Sequence, residues 1–164
     1  MSMEVEELVT RLSAVEGRLV EHASLPVPSG LSDPDPGGEE RWGAGQVWAH
    51  LAEFPSYWMN QMRGILAKRD SYVPEPIPFG RTKSDPDRIG AVERDRHEEP
   101  AALLRRVRES LAWVADELRS LPQEAWEARG LHPTLGEMDL RRIVDRFILS
   151  HLEEHADQLD SLEA

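Results

Sequence analysis

His151 and His155 stand four residues apart in a stripe that is otherwise apolar: Leu140, Val144, Phe147, His151, His155, Leu159, Leu162. Residues at that spacing share one helix face, so both imidazoles are expected to point where the leucines and the phenylalanine point. Buried polar groups without partners are costly, and a divalent metal ion is the simplest partner for two neighbouring imidazoles. A pair on one helix supplies ligands on one side of an ion only. A third must come from a facing helix, and His50, between Val47 and Leu51, is the candidate. Three neutral imidazoles would hold Zn²⁺, Ni²⁺ or Fe²⁺ and leave positions open for water or substrate.

Helix spacing also proposes what surrounds such a centre. Gln46, Glu53 and Tyr57 lie at −4, +3 and +7 from His50; Glu154 neighbours both His151 and His155, and Gln158 lies seven beyond His151. Imidazoles bound to metal usually give their other N–H to a carboxylate or carbonyl. Glu53 and Glu154 are therefore the candidate orienting groups or bases, with a solvated surface acid as the plain alternative for each. Glu153 should face away. His22 suits the C-terminal end of a helix, His97 lies among charges, and His132 precedes Pro133 in a loop.

The elements that must position these residues are helices. Residues 3–23 place Val5, Leu8, Leu12, Val15 and Leu19 on one stripe, with Val20 at its edge. A breaker-rich loop follows, including Asp33-Pro34-Asp35-Pro36-Gly37-Gly38. A second helix covers residues 44–67, and Pro55 inside it should kink it or free the carbonyl of Leu51. Residues 70–85 are irregular and long for a bundle connection, a lid or an exposed linker. A short helix near residues 87–96 and long ones over 100–120 and 139–162 complete the set. No strand-like alternation or internal repeat stands out. The expectation is one all-α domain, residues 1–164, built as a four-helix bundle with long loops after the first and second helices.

Composition narrows the function. With 19 basic against 31 acidic residues the net charge is −12, a field that repels phosphate backbones, so no nucleic-acid partner is expected. The chain has no cysteine, which excludes thiolate ligands, and a nucleophilic thiol would have to come from outside. No apolar run is long enough for a membrane and the N-terminus has no signal-like pattern. A cytoplasmic protein with a small-molecule substrate and no membrane partner is the default.

The segments 41–51 (RWGAGQVWAHL), 131–138 (LHPTLGEM) and 143–159 (IVDRFILSHLEEHADQL) together resemble the DinB-like (YfiT-like) metalloenzyme superfamily. The shared pattern is a tryptophan-led start to the second helix with its histidine, a Gly-x-Met element, and His-x-x-x-His on the last helix. Gly43 departs from the Ser or Thr often found as cap. The resemblance implies a four-helix bundle, frequently a homodimer, with a three-histidine site carried by His50, His151 and His155. It also implies activation of a low-molecular-weight thiol such as mycothiol or bacillithiol, for S-transfer or isomerisation. Two alternatives stay open: a bundle that binds a metal or ligand without turnover, as in a stress response, and a scaffold whose histidines are only hydrogen-bonded.

Overall fold

The computed structural model of the chain describes residues 2–34 and 39–163. Residues 35–38, the centre of the breaker-rich loop, lie outside the described residues. The helices form where apolar periodicity and capping agree. Helix α1 (Met3–Ser24) starts at Ser2, whose hydroxyl accepts the Val5 N–H, and buries Val5, Leu8, Leu12, Val15 and Leu19. Val20 is exposed, because the buried stripe is one residue narrower than its apolar content suggests. Helix α2 (Ala44–Asp70) runs through Pro55 and three residues beyond the expected end. Its first turn has half of a capping box: Gln46 Oε1 accepts the Gly43 N–H at 3.0 Å, and glycine has no side chain to return the bond.

Helix α3 (Pro86–Asp95) is capped by Asp85 and begins with proline. Helix α4 (Pro100–Ser120) covers the expected residues, with Pro100 in its first turn, and buries Leu103, Val107, Leu111, Val114 and Leu118. The last helix is continuous but not uniform. It comprises α5 (Leu140–Val144), a π-helical turn (Asp145–Leu149) and α6 (Ser150–Ser161). In the π turn the Ser150 N–H reaches back five residues to the Asp145 carbonyl.

Helices α1 and α4, α4 and α2, α2 and α6, and α6 and α1 are the packed neighbours. Helices α1 and α2, consecutive in the chain, therefore sit on a diagonal, which the long connection between them permits. This order sets α2 beside the last helix, and that contact brings His50 to His151 and His155.

The absence of strands expected from the sequence is corrected by a small three-stranded sheet. Strand β1 (Ile77–Pro78) pairs in parallel with β2 (Arg129–His132), which pairs antiparallel with β3 (Gly136–Asp139). Strands of two to four residues are too short for alternation to register in a sequence. The hairpin turn is organised by His132, whose Nδ1 accepts the N–H groups of Thr134 (3.2 Å) and Leu135 (3.1 Å). Gly136 closes the turn at a φ of +83°. Among the described residues no helix is long and apolar enough to cross a membrane.

Candidate metal centre

His50 is carried on the inner face of α2 and is 1% exposed; His151 and His155 are half-buried on α6. One ring nitrogen from each lies within 4.8 Å of the others. His50 Nε2 and His151 Nε2 are 3.1 Å apart. Nitrogens sharing an ion at metal–nitrogen distances of about 2.0–2.1 Å would be about 2.9–3.4 Å apart for bond angles between 90° and tetrahedral. That pair already has the required separation, and a His155 ring nitrogen lies within 4.8 Å of both.

The opposite ring edges fix the tautomers. His50 Nδ1 lies 2.8 Å from Glu53 Oε2, His151 Nδ1 3.3 Å from the Phe147 carbonyl, and His155 Nδ1 2.7 Å from Gln158 Oε1. Each of these partners is an acceptor, so each Nδ1 carries the hydrogen. His50 Nε2 and His151 Nε2 are then two lone pairs facing each other with no proton between them. Exchanging tautomers only moves the conflict: His151 would turn a lone pair on a carbonyl, or His50 would turn one on a carboxylate. Adding a proton is opposed as well. Burial, then the neighbouring His155 and His151 and the guanidinium groups of Arg88 and Arg81, hold His50 well below its ordinary pKa. Burial and then His155 do the same to His151. A cation between the rings resolves all of this at once, so the donor set fits a divalent metal ion.

Aromatic rings hold the imidazoles in place. Phe54 stacks on His151 at 3.9 Å, and Trp42 meets His50 edge-on at 5.4 Å and lies nearly parallel to His155 at 6.3 Å. Trp42 is anchored by exchanging hydrogen bonds with Ser32. On α1, Arg11 spans Asp145 in the π turn and Glu153 beyond it, which ties down the segment from which His151 projects.

The expected surroundings divide clearly. Glu53 takes the orienting position: its side chain is 9% exposed and it accepts from His50. Burial pushes its carboxyl pKa up, against the pull of Arg81. Gln158 orients His155, whereas Gln46 serves the helix cap. Glu154 is corrected. It lies on the outer face, 61% exposed, 3.6 Å from Arg146, because the α6 face carrying the two histidines turns it to solvent. Glu153 faces away, as expected. His22 pairs with Asp160 at the outer ends of α1 and α6, His97 is exposed, and His132 belongs to the hairpin.

Sequence reasoning missed Arg81. It stands in the loop before α3, where no periodicity marks it, yet its side chain is only 7% exposed. Its Nη2 lies 2.6 and 2.7 Å from the two oxygens of Glu53, and its guanidinium lies 3.9 Å over the Tyr57 ring. A separate open groove of about 590 Å³ runs along Gln61, Phe79, Gly80, His132 and Thr134. The His132 ring in its lining stacks on Phe147, which stacks on Trp58, and none of the three metal-centre histidines lines it.

Residues 4–159 match the sequence profile of the DinB superfamily. Among solved structures, the chain is similar to YfiT from Bacillus subtilis, described as a probable metal-dependent hydrolase with an unusual four-helix bundle topology. The identity is 20% over 98% of this chain and 86% of that one, with a TM-score of 0.66. It is also similar to the mycothiol-dependent maleylpyruvate isomerase, at 16% identity and a TM-score of 0.66, covering 100% of this chain but 65% of the isomerase. An uncharacterised protein from Clostridium difficile 630 matches at 9% identity over 98% and 95% of the two chains, with a TM-score of 0.63. At these identities the likeness is one of fold. No curated protein matches the chain.

Proposed function

The chain belongs to the DinB superfamily, and from that premise and the facing imidazoles we propose that it is a metal-dependent enzyme acting on a small molecule. His50, His151 and His155 hold a divalent ion, with zinc, nickel and iron as the candidates the donor set admits. The ion, when bound, supplies Lewis acidity that lowers the pKa of an incoming thiol or water. The co-substrate in this reading is a low-molecular-weight thiol of the mycothiol or bacillithiol kind, used for S-transfer or isomerisation. The absence of cysteine leaves the thiol to be brought in, and the isomerase of similar fold is a mycothiol-dependent enzyme.

The chain's own residues prepare the site. Glu53, Gln158 and the Phe147 carbonyl keep the ring hydrogens on Nδ1, so the other nitrogen of each ring is left to donate a lone pair. Phe54 and Trp42 restrict ring rotation. His151 and His155 remain half-buried, which suits a centre that a co-substrate must reach better than a closed structural site. The reading includes a homodimer in the cytoplasm.

The observation that carries the proposal is the 3.1 Å approach of His50 Nε2 and His151 Nε2 with both Nδ1 hydrogens already committed. Protein purified without an affinity tag should contain close to one divalent metal per chain. After metal loading it should transfer thiols to model electrophiles. Metal binding without turnover on any thiol or hydrolytic substrate would favour the non-catalytic binder. Absence of metal binding would leave a helical scaffold.

A further inference from the structure

Arg81 reaches the metal centre from a loop, and that loop is fastened at several points. Strand β1 pairs Ile77 with Gly130 and Pro78 with Leu131, the Phe79 N–H donates to the Leu131 carbonyl at 3.1 Å, and the Gly80 N–H donates to Gln61 Oε1 at 2.8 Å. Gly80 has a φ of +91°, and a Cβ there would lie 2.8 Å from His132 Cδ2 and 3.2 Å from Trp58 Cζ3. The hairpin and the loop thus meet too closely for any side chain at this position. One residue later, the Arg81 guanidinium is buried flat on Tyr57 with Nη2 between the oxygens of Glu53, and Glu53 in turn accepts from His50. A continuous path runs from the hairpin, through the loop, to one of the three imidazoles.

We propose that Arg81 is a positioning residue for the metal centre, so that the fastened loop, and not the helical bundle alone, sets how tightly the three imidazoles grip an ion. The inference rests on the metal-centre reading above. Glu53 can orient His50 only while its carboxylate is held in one rotamer. Arg81 supplies that constraint: a charge-assisted contact to both oxygens from a guanidinium seated over the Tyr57 ring. Without it, nothing in that contact set would hold the Glu53 carboxylate against His50, and Glu53 would turn toward solvent. His50 would then be free to move its hydrogen to the nitrogen that must donate to the ion. A lysine would keep the charge but lose the flat seat on Tyr57.

The test compares wild type, Arg81→Met and Arg81→Lys, using Co²⁺ as probe in competition with a chelator. The Co²⁺ visible spectrum reports coordination, and ring-nitrogen NMR of the metal-free proteins reports the His50 tautomer. R81M is expected to bind Co²⁺ about 10–100-fold more weakly with an altered spectrum and a mixed His50 tautomer, and R81K to recover most of the affinity. If R81M keeps wild-type affinity and a wild-type Nδ1–H tautomer, the inference is overturned. If wild type itself binds no Co²⁺, the metal-centre reading fails separately, and the tautomer comparison alone decides the role of Arg81. Should R81M not fold, R81Q carries the same comparison, since it keeps donors but not the charge.

Discussion

His151→Leu should change stability in opposite directions with and without metal. In the metal-free protein, His151 Nε2 faces His50 Nε2 at 3.1 Å, and leaving a buried polar group unsatisfied costs about 1–3 kcal/mol. Leucine removes that conflict and keeps an apolar surface against Phe54. It gives up the long Nδ1 contact to Phe147 at 3.3 Å, which is worth at most about 0.5–1.5 kcal/mol. The balance is a gain on the order of 1 kcal/mol, or roughly 2–4 °C in Tm for a chain of this size. With metal the order inverts. An ion at 100 times its Kd stabilises the wild type by about 2.7 kcal/mol, roughly 5–11 °C, and H151L forfeits most of that. Thermal denaturation of both proteins, in chelator and in excess Zn²⁺ or Ni²⁺, measures all four values. A mutant less stable than wild type in chelator, together with a wild type that no divalent ion moves, would refute the reasoning. The rings would then be ordinary hydrogen-bonded core residues.

The remaining expectations follow from the same contacts. Glu53→Gln should lower metal affinity about 10–100-fold in chelator competition, while Glu154→Gln, exposed beside Arg146, should leave it unchanged; equal effects would mean neither carboxylate touches the centre. Gly80→Ala, strained by its positive φ and crowded by His132, should lose about 1–3 kcal/mol in denaturant titration, and a neutral result would show the loop is not fastened there. Asp95 is held below its ordinary carboxyl pKa of 3.8 by hydrogen bonds from Arg94, against burial, and then from Arg106. Its unfolded form takes up a proton first, so its contribution is intact above the ordinary value and lost as pH falls through the depressed folded value. Asp95→Asn should therefore be less stable than wild type at neutral pH, with the gap narrowing as pH drops below about 4. A gap independent of pH would remove the ion pairs from the account.

The parts of the fold that were legible in the sequence are those written as periodicity. The buried set of α1 matches its apolar stripe apart from Val20 at the edge, α4 buries residues at helical spacing, and the long loop between α1 and α2 permits their diagonal placement. The three imidazoles were legible because histidine on an apolar stripe is conspicuous, and Glu53 because three residues along a helix is a fixed direction. Arg81 and the small sheet were not legible. Arg81 meets Glu53 from a loop 28 residues along the chain, β1 must find β2 across the pairing of Ile77 with Gly130, and the strands hold only two to four residues. The LHPTLGEM segment (131–138) was recognisable as a family element, but its physical work, a turn folded around the His132 ring, follows only from the packing.

The last helix gives the most instructive difference. An unbroken α-helix would keep Leu140, Val144, Phe147, His151 and His155 on one stripe and point both histidines toward the middle of the core. The π turn at Asp145–Leu149 takes up one extra residue, which rotates everything beyond it by about 100° relative to what precedes it. Before the turn the core is filled by Leu140, Ile143 and Val144, within it by Phe147, Ile148 and Leu149, and beyond it by Leu152, Ala156 and Leu159. Continuing that last set backward in α phase would bury Asp145 and Arg141, so the turn lets one helix serve two apolar patterns that are out of register. His151 and His155 are displaced to the flank of the core as a result. There they still reach His50 across the groove between α2 and α6, but they keep contact with solvent. A core-centred triad would bind an ion that nothing could approach. The slipped helix instead leaves His151 and His155 half-buried beside the buried His50, and the Arg11 clamp on Asp145 and Glu153 ties the turn to the residues beyond it.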